Sequence, residues 1–172
     1  SGGTGVRSAF PYHLDEYPYR MEYGTPNVVG IASLWAAQEW IKGQGGIEKI
    51  YDHEMKLARK LVEGFNQISG VKVYCCESME NHLSTITMNV EGLEAADVGI
   101  MLDVDFNIAT RTGLHCAPLV HEQIGTMKIH GGVRFAIGPF NTEAHIEAAI
   151  EAVAEIAVRA KEMKGLTIKS GQ

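Results

Sequence analysis

At 172 residues with 45% apolar side chains, the chain has the size of one ordinary domain and enough apolar material for a real core. Its formal net charge of −6, with Lys and Arg scattered, argues against nucleic acid or an anionic membrane as partner and favours a small charged metabolite. No apolar run approaches the ~20 residues of a membrane span, no secretory signal opens the sequence, and three cysteines make no disulfide framework, so the expected address is the cytoplasm.

The opening stretch, residues 1–27, is rich in Gly, Pro and Tyr, lacks periodicity and reads as loop, the cut end of a larger body. Thr25 is the expected N-cap, and Pro26 the first helical position, of a helix over "NVVGIASLWAAQEWI". That segment is apolar nearly all round and must be covered on most sides. A second helix, from about Ile47 to Ile68, places Ile47, Ile50, Leu57, Leu61, Phe65 and Ile68 at three- and four-residue steps.

After Ser69 and Gly70 the period changes to two. "VKVYCC" (71–76), "STITMNV" (84–90), "FNIAT" (106–110) and "VRFAI" (133–137) are the predicted strands, with one helix in "EAADVGIMLDV" between the second and third. Asn141 or Thr142 caps the final helix, whose stripe of Ile146, Ile150, Val153, Ala157 and Ala160 ends at Gly165. This order predicts an α+β fold, with helices packed on one face of a small, mainly antiparallel sheet. The expected boundaries are 1–46 for the end of a preceding domain, 47–69 for a linking helix and 70–172 for a small C-terminal domain.

Residues 111–132 would join two strands by about twenty residues, where about 4–6 are usual, and connections of that length are commonly functional. Cys116 lies in that loop, with Arg111, His115 and His121 close by in sequence. Cationic neighbours favour a thiolate, which makes Cys116 a candidate nucleophile. The competing assignment is a buried, inert cysteine, against which the polar, glycine-punctuated setting weighs. His115, Cys116, His121 and His130 are also nitrogen and sulfur donors for zinc, yet their spacing fits no standard zinc motif, and no metal is expected.

Cys75 and Cys76 should finish a strand, one facing the core and one away from it. Arg134, between Val133 and Phe135, projects away from the core, where its planar fork suits a carboxylate; a surface arginine paired with Glu is the alternative. Thr25, at a helix start, is either an ordinary N-cap or part of an anion site. His13, His82 and His145 read as surface residues.

Taken together, "GGTG", "RMEYGTPN", "RTGLHCAP" and "GGVRFAIGPFNTEAHI", with the order of elements between them, resemble the C-terminal part of the cysteine desulfurase/selenocysteine lyase branch of the class V aminotransferases. The resemblance implies a pyridoxal-phosphate (PLP) enzyme with a large cofactor-binding domain and a small C-terminal domain, active as a homodimer. It would take sulfur from L-cysteine, leave L-alanine and pass the sulfur to an acceptor protein, with PLP as electron sink. It implies Cys116 as the persulfide-forming residue, Arg134 as the clamp on the substrate carboxylate and Arg111 as a loop arginine near both. It further implies that Thr25 reaches the PLP phosphate of the partner subunit, and His115 is a candidate supporting residue.

In that family the Schiff-base lysine follows a histidine, and no His-Lys pair occurs in this sequence. The chain is therefore expected to be a fragment, its residues 1–46 the end of the large domain, and inactive alone. A selenocysteine lyase or another class V lyase or aminotransferase is the rival on the same scaffold. A stand-alone persulfide carrier or metal-binding module is the rival of a different class.

Overall fold

The first helix, α1, runs Val28–Gly43 in the computed structural model, which describes residue 7 and residues 9–22, 24–75 and 78–170. Its N-cap is Asn27 rather than Thr25: the Asn27 side chain accepts the Gly30 N–H at 2.9 Å. Asparagine outranks threonine as a cap, and Gly30 leaves it room, since a Cβ there would stand 2.5 Å from Asn27 Nδ2. The apolar sequence called for cover on most sides, yet none of the residues of α1 is buried; Val28, Val29, Ile31, Leu34 and Trp35 are all exposed.

The chain divides into two compact units, Ser1–Ile47 and Glu48–Gln172. The second unit is built on α2 (Ile47–Asn66), β1 (Val71–Tyr74), β2 (Thr85–Val90), α3 (Ala95–Phe106), β3 (Arg111–Gly113), α4 (Pro118–Gln123), a 3-10 turn at Met127–Ile129, β4 (Gly132–Ala136) and α5 (Glu143–Ser170). The four strands lie in the order β1-β2-β4-β3, and every neighbouring pair is antiparallel.

One face of this sheet is covered by helices, as the α+β pattern requires. Ile86, Met88 and Val90 of β2 and Val133 and Phe135 of β4 are buried with Leu57, Leu61 and Phe65 of α2 and Val153 and Ile156 of α5. The Phe65 and Phe135 rings meet edge-on at 5.2 Å, a favoured aromatic geometry. Gly64 of α2 makes room for Ile150 of α5, because a Cβ there would lie 2.3 Å from Ile150 Cδ1.

Three elements differ from the sequence reading. "FNIAT" is not a strand: Phe106 ends α3, and Asn107 closes it in a left-handed conformation with φ 54°. Asn107 N–H reaches Asp103 O at 3.1 Å and Ile108 N–H reaches Leu102 O at 2.8 Å, a helix stop that asparagine tolerates. The strand begins only at Arg111. The supposed long loop is also largely folded, holding β3, α4 and the 3-10 turn. Finally, α5 continues past Gly165 to Ser170; a glycine inside a helix costs only about 1 kcal/mol relative to alanine and need not end it.

At the start of α5 the cap is Thr142. Its Oγ1 accepts the His145 N–H at 3.4 Å, and the Thr142 N–H is donated back to His145 Nδ1 at 3.3 Å. This is a reciprocal capping box with histidine in the usual Glu position, so His145 has a structural task. Among the described residues no helix is long and apolar enough to cross a membrane.

Candidate active site

The uncovered face of the sheet carries one cross-strand row. Cα partners run from Tyr74 to Thr87, from Thr87 to Arg134 and from Arg134 to Arg111. Directly opposed residues of antiparallel strands share a face, and their alternate neighbours Met88, Val133 and Phe135 are in the core, so this row points the other way. Arg134 is half-buried, and its Nε is buried with no hydrogen-bond partner. Arg111 stands on a strand rather than in a loop.

Beyond β3 the chain turns sharply. His115 and Cys116 both take left-handed backbone geometry, φ 53° and φ 59°, each costing on the order of 1–3 kcal/mol for a residue with a Cβ. The turn closes through Ala117 N–H to Leu114 O at 2.8 Å. Its effect is to leave the Cys116 sulfur exposed and within 3.2 Å of Arg111 Nη2, which donates to it.

His115 lies against the same turn. Its Nε2 is 3.1 Å from the Arg111 carbonyl, which can only accept, so Nε2 carries the proton and Nδ1 keeps a lone pair. Burial holds this imidazole below its ordinary range; the hydrogen bond to the Arg111 carbonyl opposes that, and the positive charges of Arg134, His121 and Arg111 add to it.

The excursion is pinned at both ends. A Cβ on Gly131 would lie 2.1 Å from Gly113 O, so the two arms touch backbone to backbone. Inside it, His121 is buried, with Nδ1 2.6 Å from Thr126 Oγ1, and its ring centroid is 5.3 Å from that of His115. Between this folded excursion and the sheet lies a cleft of about 610 Å³, lined by Tyr74, Cys75, Thr87 and Arg134 on the sheet side and by His115, Ala117 and His121 on the other.

The structure thus brings together Cys116, Arg111, His115 and Arg134. It does so because antiparallel pairing puts Arg111 opposite Arg134, a relationship no local pattern displays. Thr25 is exposed and belongs to the other unit. Sequence reasoning missed Thr87, which the alternation of "STITMNV" places on the arginine face once the register is known, and Thr126, the buried partner of His121. His130 pairs with Glu94 at 2.9 Å, and among the described residues no group of three His, Cys, Asp or Glu is placed to hold a metal ion. Cys75 is half-buried just past β1; Cys76 and the "GGTG" stretch lie outside the described residues.

Comparison with known proteins bears on the family and the fold. A cysteine desulfurase of Wigglesworthia glossinidia brevipalpis is 32% identical over 143 residues, covering 83% of this chain and 33% of that protein. A probable cysteine desulfurase of Pyrococcus abyssi is 32% identical over 145 residues, covering 84% and 35%. The chain therefore spans about a third of the length of these relatives. The apo structure of cysteine desulfurase from Thermococcus onnurineus NA1 superposes with a TM-score of 0.74 at 33% identity, over 85% of this chain and 35% of that one. The cysteine desulfurase CsdA from Escherichia coli gives 0.68 at 25% identity, over 95% and 38%. These neighbours share the fold of PLP-dependent transferases, and residues 2–149 match the family described as Aminotransferase class-V. With most of its length inside that match, the chain belongs to the class-V aminotransferase family.

Proposed function

We propose that this chain is the C-terminal, thiol-bearing segment of a PLP-dependent cysteine desulfurase, in which Cys116 takes the sulfur of L-cysteine as a persulfide and L-alanine leaves. The observation that carries the reading is the 3.2 Å contact of Arg111 Nη2 with the exposed Cys116 sulfur, beside a cleft that Arg134 lines. A guanidinium next to sulfur supplies the positive charge that suits a nucleophilic thiolate.

Arg134 is the carboxylate clamp. Its buried Nε–H has no acceptor, an arrangement costing roughly 1–3 kcal/mol that a substrate carboxylate offsets, and the planar fork binds such a group with two parallel hydrogen bonds. Arg111 adds a second positive charge near substrate and sulfur. His115 supports the site, because its neutral ring keeps a lone pair at Nδ1 for the thiol proton.

The exchange balances. A new S–S bond forms between Cys116 and the substrate sulfur while the substrate C–S bond breaks; its electron pair stays on carbon, which takes up the proton released by the Cys116 thiol. Both sulfurs are oxidised by one electron, and the carbon is reduced by two. PLP, when bound, supplies the electron sink that weakens the C–S bond. In this chain Thr25 suits that cofactor: an exposed hydroxyl just ahead of α1, next to helix-terminal N–H groups, fits a phosphate, and we assign it to the PLP phosphate of the partner subunit in a homodimer. No lysine of this sequence follows a histidine, so the Schiff-base lysine is not assigned to this chain.

On this reading residues 1–46 end the large domain, 47–69 link, and 70–172 form the small domain that presents the thiol. The exposed persulfide is open to a sulfur-acceptor protein, and the cytoplasm keeps the thiol reduced. Mass spectrometry of the complete enzyme after incubation with L-cysteine tests the reading. A gain of one sulfur atom on the Cys116 peptide, and loss of alanine formation in Cys116→Ala, are expected; alanine formation unchanged in that variant would defeat it.

A further inference from the structure

Two buried polar side chains have no part in the chemistry above. His121 and Thr126 are 3% and 0% exposed, inside an excursion that otherwise presents much of its length to solvent. Every polar group of Thr126 is engaged: its N–H donates to His121 O at 2.8 Å, its carbonyl accepts Gly131 N–H at 3.0 Å, and its hydroxyl meets His121 Nδ1 at 2.6 Å. Burying such groups costs free energy unless they are paired, and a leucine–valine pair would fill the same space without that requirement. The polar pair therefore fixes an orientation rather than merely a volume.

What it orients is the next ring. From His121 the contacts run to the His115 ring at 5.3 Å, from His115 Nε2 to Arg111 O at 3.1 Å, and from Arg111 Nη2 to the Cys116 sulfur at 3.2 Å. His115 sits on the left-handed turn that carries Cys116, and such a conformation persists only where its surroundings over-determine it.

We infer that His121, held by Thr126, is a positioning residue for the Cys116 reaction, fixing the His115 ring and with it the turn that carries the thiol. This rests on the persulfide role of Cys116, and it adds two residues for which no contact with the sulfur is part of the argument.

Paired substitutions in the complete PLP-loaded enzyme test it. Thr126→Val keeps the shape and removes the hydroxyl, whereas Thr126→Ser keeps the hydroxyl. The kcat for alanine formation falls about tenfold in Thr126→Val and in His121→Phe, KM stays within about twofold, and Thr126→Ser recovers most of the rate. Wild-type turnover in Thr126→Val, or a serine variant no better than valine, overturns the inference. A second readout needs no turnover: long-range 1H–15N spectra of the histidine-labelled protein show His115 as a single Nε2–H tautomer that gives way to averaging in Thr126→Val. A His115 tautomer left unchanged in Thr126→Val overturns it equally. If alanine formation survives Cys116→Ala, the persulfide reading falls by itself, and these spectra still judge the place of His121.

Discussion

Arg111 and Arg134 are Cα partners in the antiparallel pair of β3 and β4, so two guanidinium groups share one face of the sheet at directly opposed positions. Like charges so placed repel each other. Hydrogen-bond acceptors beside the pair offset that repulsion, and Arg111 has one in the Cys116 sulfur. Arg134 Nε lacks such an acceptor.

From this follows a difference between the two arginines. Removing the Arg134 fork in Arg134→Ala should raise the KM for L-cysteine roughly 10- to 100-fold, the worth of a charge-assisted bidentate contact. Arg134→Lys should recover little, since an ammonium cannot make the paired bonds. Steady-state kinetics of the complete enzyme decide it, and a lysine variant with wild-type KM would contradict the clamp.

Because burial holds His115 below the ordinary imidazole value of 6.5, folding favours its neutral form. The sign follows from proton linkage: the unfolded chain binds the proton more readily, so this contribution is complete above pH 6.5 and is lost as pH falls through 6.5 toward the lowered folded value. Urea midpoints measured between about pH 7.5 and pH 5 should decline on acidification. The decline should be shallower in His115→Gln, which has no proton to gain; identical slopes would remove His115 from the account.

Gly131 tests the closure of the excursion. Its φ of 102° and the 2.1 Å that would separate a Cβ from Gly113 O leave no room for a side chain. Gly131→Ala should therefore cost on the order of 3 kcal/mol, seen as a lower Tm. By contrast Asn107→Gly, at a left-handed helix end, should change stability by less than about 0.5 kcal/mol.

The chain by itself, supplied with PLP and L-cysteine, should release no alanine, because none of its lysines stands after a histidine. Alanine production by the purified 172-residue polypeptide would mean that one of its own lysines holds the cofactor.

Much of this protein was legible in local pattern. The three- and four-residue steps of α2 and α5, the alternation of β2 and β4 and the change of period after Gly70 come from each residue's own preference for burial, and they specify helices over one face of a sheet. The cluster of Arg111, His115 and Cys116 is likewise local, its members lying within one turn of chain. Errors arose where a short segment satisfies two patterns: "FNIAT" alternates like a strand, yet Asn107 accepts the left-handed geometry that ends a helix.

The sequence by itself determined that a thiol would be set among cations, and that Arg134 would point away from the core between Val133 and Phe135. Only the tertiary structure decided that Arg134 faces Arg111, that Thr87 shares their row and that Thr126 and His121 are buried against each other. Strand register and the packing of the excursion set these relationships, and both are fixed by contacts between residues far apart in the chain, which composition and periodicity do not contain.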